Sequence, residues 1–329
     1  MTEIKHSSSS RRRWLLRWLV VIALLGFVAL NTLAYFHARS MMHFVGGTER
    51  TREPETLSLL QRIKVLATGV KIPRPTNHKT PADIGLAFET VTFPGAHGVK
   101  LEAWRIRNSN SKGTVILFHG YTASKDTLLN TAKEFFNLGW DAMLVDFYGS
   151  GGSEGNETSV GYYEGDDVAV AFQYVRADKT NQPVVLYGVS MGAAAILRAV
   201  SAHKLTPDGL ILECPFDRLL TTVQNRFGAM RLPSFPAAQL LVFWGGVQQG
   251  FNGFHFNPAD YARGVRCPTL LMHGERDPRV RLEEMQHIAK NLNSNSVSKV
   301  FSSLGHQDYL SSDPAEWRSY VTELLSKTR

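Results

Sequence analysis

The chain has 329 residues, 43% of them hydrophobic, so it is long enough to bury a sizeable core and too apolar to be mainly disordered. Its formal charge of +7 is concentrated at one end: Lys5, Arg11, Arg12, Arg13, Arg17 and Arg39 against Glu3 account for +5, and residues 40–329 are nearly balanced. A folded part with no basic stripe excludes nucleic acid as a partner on charge grounds.

Behind the basic cluster, residues 18–36 read WLVVIALLGFVALNTLAYF, with Asn31 and Thr32 as the only polar side chains. At 1.5 Å per residue this run covers about 28 Å, close to a hydrocarbon core of about 30 Å. One transmembrane helix is expected over 18–36. Residues 1–17 then stay cytoplasmic and the remainder is carried to the periplasmic or other extracytoplasmic side, because Arg11 to Arg13 and Arg17 lie on the N-terminal flank. Two readings compete. One is a cleaved signal, with Arg12-Arg13 loosely like a twin-arginine motif and Thr32-Leu33-Ala34 as the cleavage site; the other is a buried core helix. The apolar run is longer than a usual signal core, which favours an uncleaved anchor.

Residues 41–84 mix polar and apolar side chains and contain Pro73, Pro75 and Pro81; they read as a juxtamembrane stalk with one helix near 55–67. A single domain is expected over 85–329. LAFETVTF and VKLEAWRIR alternate like an antiparallel pair joined at PGAHG. TVILFHG, DAMLVD, PVVLYG, GLILE and TLLMHG are instead short, nearly continuous apolar runs, which suit strands buried on both faces of a parallel sheet. Helical patterns at 125–137, 162–177, 191–203, 282–292 and 314–326 separate or follow them. This order predicts an α/β fold with a mostly parallel, doubly wound sheet. The aromatic-rich segment at about 216–262 interrupts the rhythm. It is either an inserted cap over a site or an ordinary helix pair packed on the sheet. Cys214 follows one strand and Cys267 precedes another, so in neighbouring parallel strands they lie about 16 Å apart and are expected as free thiols.

Ser190 stands in Gly188-Val189-Ser190-Met191-Gly192, a G-x-S-x-G placed where a buried strand gives way to a helix. A tight strand-to-helix turn needs glycines on both sides of the serine. The helix N-terminus and the Met191 N–H then favour developing negative charge. A serine hydroxyl needs a base, and the base needs an orienting acid. Asp277 falls in HGERDP just past one strand, and His306 in SLGHQD just past the last, so both reach the same sheet edge as Ser190. Ser190, Asp277 and His306 are therefore the expected catalytic residues. Glu213, at the end of the preceding strand, is an alternative acid. His119 is expected to be structural, His273 to shape the acid loop, and His255 to lie exposed in the cap or to touch substrate. Asp308, two residues past His306, is a poor orienting acid on geometry.

From about residue 85 onward these motifs resemble the α/β-hydrolase superfamily. The resemblance includes His119-Gly120-Tyr121, which implies an oxyanion hole formed by the backbone N–H groups of Tyr121 and Met191. It also includes Asp146-Phe147-Tyr148-Gly149-Ser150-Gly151-Gly152-Ser153, similar to the family's D-x-R-G-x-G-x-S loop, with Tyr148 in place of the usual arginine; Arg281 likewise replaces a frequent proline. Short-cap members, described as serine aminopeptidase-like, lysophospholipase-like or acyl-thioesterase-like, are the most similar. GSGGSEG at 149–155 fails the dinucleotide pattern G-x-G-x-x-G because Glu154 occupies its third glycine, and no H-E-x-x-H or C-x-x-C occurs, so neither cofactor nor metal is expected.

The expected function is a membrane-anchored serine hydrolase acting on a small-molecule acyl substrate, first a lysophospholipid or acylglycerol ester, with a thioester as the near variant. A serine aminopeptidase-like activity is the alternative and needs a carboxylate for the substrate ammonium, for which Glu154, Glu157 and Glu164 are candidates. A non-catalytic, membrane-tethered interaction protein that keeps the fold is a third reading.

Overall fold

Each short apolar run forms a strand, and the eight strands make one sheet. In the computed structural model, which describes residues 8–52, 56–178 and 181–328, they are β1 (Glu89–Pro94), β2 (Lys100–Ile106), β3 (Thr114–Phe118), β4 (Asp141–Val145), β5 (Val184–Val189), β6 (Gly209–Glu213), β7 (Thr269–Gly274) and β8 (Ser296–Phe301). Their order is β1-β2-β4-β3-β5-β6-β7-β8. β2 pairs antiparallel with both β1 and β4, and the other pairings are parallel. β3, β4, β5, β6 and β7 are buried throughout apart from Val189, as runs without alternation require. After β4 the chain crosses back over β3 to enter β5, so the order reverses there and leaves a crevice at the carboxyl ends of the strands.

The helices are α1 (Ser8–Met42), α2 (Leu59–Thr68), α3 (Leu129–Asn137), α4 (Glu164–Asp178), α5 (Met191–His203), α6 (Leu219–Ala229), α7 (Ala237–Gln249), α8 (Pro258–Tyr261), α9 (Leu282–Ala289), α10 (Tyr309–Ser312) and α11 (Pro314–Leu325). Phe172 of α4, Ile196 of α5 and Ile288 of α9 join one buried cluster; Phe135 of α3 and Trp317 and Val321 of α11 join another on the opposite face. A third cluster joins α6 and α7 to the end of α1 through Ala34, Ala38, Met42, Val223, Phe227 and Val242. It meets the sheet domain at Ala194, Phe256 and Val280.

α1 is long and apolar enough over Arg11–Met42 to cross a membrane. Residues 11–30 of it are exposed, and packing begins at Asn31. The segment 41–84 is not the independent stalk its composition suggests. The Phe44 N–H donates to the Asn156 carbonyl (2.8 Å) and the Val45 N–H to that of Ile72 (2.9 Å), while Phe44, Leu57 and Ile72 are buried. α2 begins with a capping box between Ser58 and Gln61 and is fastened by Arg62, whose Nη1 donates to the Met230 carbonyl at 2.8 Å.

Candidate active site

Ser190 occupies the single residue between β5 and α5, at φ 52° and ψ −111°, a conformation that L residues seldom adopt. The turn is held from several sides. The Ser190 N–H donates to the Glu213 carbonyl of β6 at 2.7 Å, and the Ala194 N–H donates to the Ser190 carbonyl at 3.0 Å. A Cβ at Gly188 would lie 2.7 Å from the Ala193 nitrogen, and one at Gly192 would lie 2.5 Å from the Phe118 carbonyl oxygen. Both glycines are therefore required by close backbone approach, and the serine is lifted above the edge of the sheet.

Asp277 lies in the loop after β7 with its side chain fully buried. Its Oδ1 accepts the backbone N–H groups of Arg279 (2.8 Å) and Val280 (2.9 Å), and its Oδ2 lies 2.6 Å from His306 Nδ1. Burial alone would raise the Asp277 pKa, but His306 and the two amides outweigh it and hold the carboxyl below its ordinary range. A carboxylate on Nδ1 fixes the proton there, which leaves Nε2 of the neutral ring to act as a base. Burial lowers the affinity of His306 for a second proton, yet the Cys214 sulfur and Asp277 together overcome this and push its pKa up to about 10. Ser190 and His306 line the same cavity, of about 390 Å³.

Cys214, first residue after β6, was not legible as part of this site. Its sulfur, the Asp277 carboxylate and the His306 ring have donor atoms within 4.8 Å of one another. It takes φ 42° and donates its N–H to the Met272 carbonyl at 2.9 Å. Both Cys214 and Cys267 are free thiols.

The loop after β3 runs beside the serine: a Cβ on Gly120 would lie 3.8 Å from that of Ser190. His119 is fully buried there. The Phe147 N–H donates to its Nε2 at 3.2 Å, so Nδ1 carries the hydrogen and donates to the Gly120 carbonyl at 2.9 Å. Burial lowers the His119 pKa and keeps the ring neutral, which suits a strut and not a base. Met191 is the first residue of α5, so its N–H has no acceptor one turn earlier in the helix. Tyr121 and Met191 both line the cavity. The Tyr121 hydroxyl donates to the Met41 carbonyl of α1 at 2.5 Å, and the Arg226 guanidinium stands 5.1 Å from the centre of its ring.

Asp146 organises the loop that follows β4. It accepts the N–H of Lys125 (2.7 Å) and of Gly152 (2.8 Å), the Asn77 amide, and the ammonium of Lys125. Where the sequence carries Tyr148 instead of an arginine, a guanidinium arrives from elsewhere. Arg74, in the segment before β1, donates to the carbonyls of Gly151 (2.9 Å), Ser153 (2.5 Å) and Gly155 (3.0 Å).

The remaining candidates fall outside the Ser190, Asp277 and His306 arrangement. Glu213 lines the cavity, but its Oε1 accepts Trp317 Nε1 at 2.7 Å; burial raises its pKa to about 7. Asp308 caps α10 through the Ser311 N–H at 3.1 Å. His273 is buried on β7 with neither ring nitrogen hydrogen-bonded, and His255 is exposed. Glu154 accepts the Lys100 N–H (2.8 Å), Glu157 faces His43 (3.6 Å), and Glu164 is buried against the Ser159 and Gly161 N–H groups (3.1 and 2.9 Å); none of the three lines the cavity.

α6 and α7 supply Phe216-flanked apolar walls, including Val223, Phe227 and Leu241, while Leu57, Val65 and Leu66 close the side formed by α2. Arg50, Arg52, Arg226 and Arg279 reach the same space. A reacting group held there meets an apolar enclosure with a few converging polar groups, the usual make-up of a small-molecule site.

A family model described as Serine aminopeptidase, S33, matches residues 109–243. The chain is 25% identical over 213 residues to the lysophosphatidylserine lipase ABHD12 of Xenopus tropicalis, covering 61% of this chain and 51% of that one. It is 30% identical over 142 residues to the uncharacterized membrane protein YNL320W of Saccharomyces cerevisiae, covering 43% and 50%. The chain thus spans about half the length of these two relatives. The structure of the Pyrococcus furiosus esterase Pf2001 superposes with a TM-score of 0.66 at 27% identity, covering 78% of this chain and 97% of that one.

Proposed function

We propose that this chain, which has the α/β-hydrolase fold, is a membrane-anchored serine hydrolase that cleaves carboxylic esters of lipid-like acyl substrates, lysophospholipids or acylglycerols first, through an acyl-enzyme. One observation carries the reading: His306 Nδ1 lies 2.6 Å from a buried Asp277 carboxylate, in the cavity that holds Ser190 at a strained strand-to-helix turn. His306 Nε2 takes the Ser190 proton as Oγ attacks the carbonyl carbon. The carbonyl oxygen, now an anion, accepts the N–H groups of Tyr121 and Met191, each worth about 3–4 kcal/mol in the transition state. Collapse of the tetrahedral species expels the alcohol, which takes its proton from His306. Water then attacks the Ser190 ester with His306 again as base, releasing the carboxylic acid and regenerating the serine.

The apolar walls of α2, α6 and α7 support an acyl chain as the bound group, and the lipase and esterase likenesses point the same way. Ester and thioester fit this mechanism equally. The aminopeptidase alternative has less support, because the three glutamates that suited it are engaged away from the cavity. α1 is the proposed anchor, with residues 1–17 cytoplasmic and the domain of residues 85–329, capped by about 216–262, on the far side. A fluorophosphonate probe should label Ser190, and Ser190→Ala should abolish turnover of p-nitrophenyl butyrate. Labelling of another residue, or turnover kept by Ser190→Ala, rejects the assignment.

A further inference from the structure

Residues 11–30 of α1 are bare, but Arg11 to Arg13 and Arg17 lie among them, and the apolar run itself is 18–36. A span placed on that run, about 28 Å of helix against a hydrocarbon core of about 30 Å, takes in the stretch beyond residue 30. One flank of the last stretch of the run, Asn31 to Phe36, is docked on the protein, while Leu33 and Phe36 stay exposed. Asn31 Oδ1 accepts Trp244 Nε1 at 3.1 Å, the Tyr35 carbonyl accepts Gln248 Nε2 at 2.9 Å, and the Tyr35 and Trp244 rings meet edge to face at 5.5 Å. With the span on 18–36, α7 therefore runs beside the part of α1 that lies within the bilayer.

The composition of α7 fits that position. AAQLLVFWGGVQQ carries no charged residue, and Phe243 and Val247, one turn apart and next to the flank that touches α1, are 48% and 53% exposed. A helix without charge that turns two large apolar side chains, Phe243 and Val247, outward is out of place in water. A second apolar patch lies at the cavity rim. Leu59, Leu60 and Ile63 of α2 are 68%, 79% and 55% exposed, and Arg62 ties α2 to Met230 in the α6–α7 connection, which carries the exposed Phe235.

We infer that the outer face of α7, with the rim of α2, is embedded in the leaflet on the domain side of the membrane, its partner being lipid acyl chains. This rests on the reading that α1 spans the bilayer. Leu241, on the inner side of the same helix, lines the catalytic cavity. One helix thus separates lipid from Ser190, and the acyl substrate is taken sideways from the leaflet instead of from water.

The test uses the full chain reconstituted in phosphatidylcholine vesicles, with a benzophenone amino acid at position 243 or, as a control, at the exposed Thr322 of α11. Irradiation should give a lipid adduct at 243 and none at 322. Protein that floats with the vesicles but gives no adduct at 243 overturns the inference and leaves the anchor intact. Protein that does not float overturns both. In the second arm, Phe243→Glu combined with Val247→Glu should lower turnover of vesicle-resident 1-palmitoyl lysophosphatidylcholine at least tenfold while p-nitrophenyl acetate turnover stays within twofold of wild type. An equal loss on both substrates, or a loss on neither, overturns lateral uptake.

Discussion

In its proposed role as base, His306 is subject to opposing demands that would set the pH range of the reaction. As a base it must be neutral, yet the Cys214 sulfur and Asp277 favour its charged form and carry its pKa to about 10 against the lowering effect of burial. The sign for activity follows directly: lowering the pH protonates His306 and removes the base. The sign for stability is opposite. A histidine whose folded pKa is raised stabilises the fold fully below its unfolded value of about 6.5, and that contribution is lost as pH rises through the folded value. The acid limb of kcat/KM for a soluble ester should therefore lie well above pH 6.5, with activity still rising past neutrality. Cys214→Ala removes one of the two partners that favour the imidazolium and should move the limb to lower pH, while Cys267→Ala, at the far end of the strand layer, should not. A pH–rate series on the three proteins checks this, and coincident limbs would exclude Cys214 from any tuning role.

At the scale of elements, the loop after β3 and the loop after β4 are joined by buried charge. The Lys125 side chain is fully buried, donates to Glu102 (2.8 Å) and Asp146, and its ammonium lies 4.3 Å from the Trp104 ring centre. Burial would raise the Asp146 pKa, but Lys125 overcomes this and holds it below the ordinary value, so the stability it contributes is present above about pH 4 and lost as the pH falls further. Lys125→Met leaves Asp146 charged and unpaired and should cost about 3–5 kcal/mol. Adding Asp146→Asn to Lys125→Met should restore part of that loss, as urea denaturation midpoints would report. Such a link shows why legibility in the sequence was uneven. β3 to β7 were readable because a strand buried on both faces must be a continuous apolar run. Ser190 was readable because its glycines stand two residues away on either side. Asp277 and His306 were readable because strand ends in a parallel sheet share one edge. Arg74 was not, since its three carbonyl partners lie about eighty residues later and a carbonyl leaves no mark in a sequence. Cys214 was hidden for a related reason: it reads as one more small apolar residue after GLILE, and only the arrival of two later loops puts His306 against it.

For the whole molecule, the division into anchor, stalk and hydrolase breaks down at the cavity. Composition marks residues 18–36 as a membrane segment and 41–84 as a spacer, but neither pattern records that Ala34, Ala38 and Met42 are buried in the cluster that holds α6 and α7. The end of α1 reaches the candidate site itself, since the Met41 carbonyl accepts the hydroxyl of Tyr121, whose own N–H is a proposed oxyanion donor. Residues 11–30 make no comparable contact and are exposed throughout. Truncation should therefore act as a step instead of a gradient. A chain starting at residue 31 keeps Asn31, Tyr35, Ala38 and Met41, so its turnover of p-nitrophenyl butyrate should stay within a few-fold of the full chain in detergent. A chain starting at residue 44 uncovers Val242 and Trp244 and removes the Met41 carbonyl that accepts the Tyr121 hydroxyl. With the oxyanion loop displaced by even an ångström, kcat should fall by about 100-fold, and the thermal midpoint should drop as the α6–α7 pair loses its packing. Cleavage after Ala34 would fall inside this contact, sparing Met41 but removing Asn31 and Ala34 itself, and should give an intermediate loss. Kinetics on the three truncations, read beside circular dichroism melts, decide whether α1 serves only as a tether or is also a wall of the site; equal kcat for the chains starting at 31 and 44 would leave it a tether.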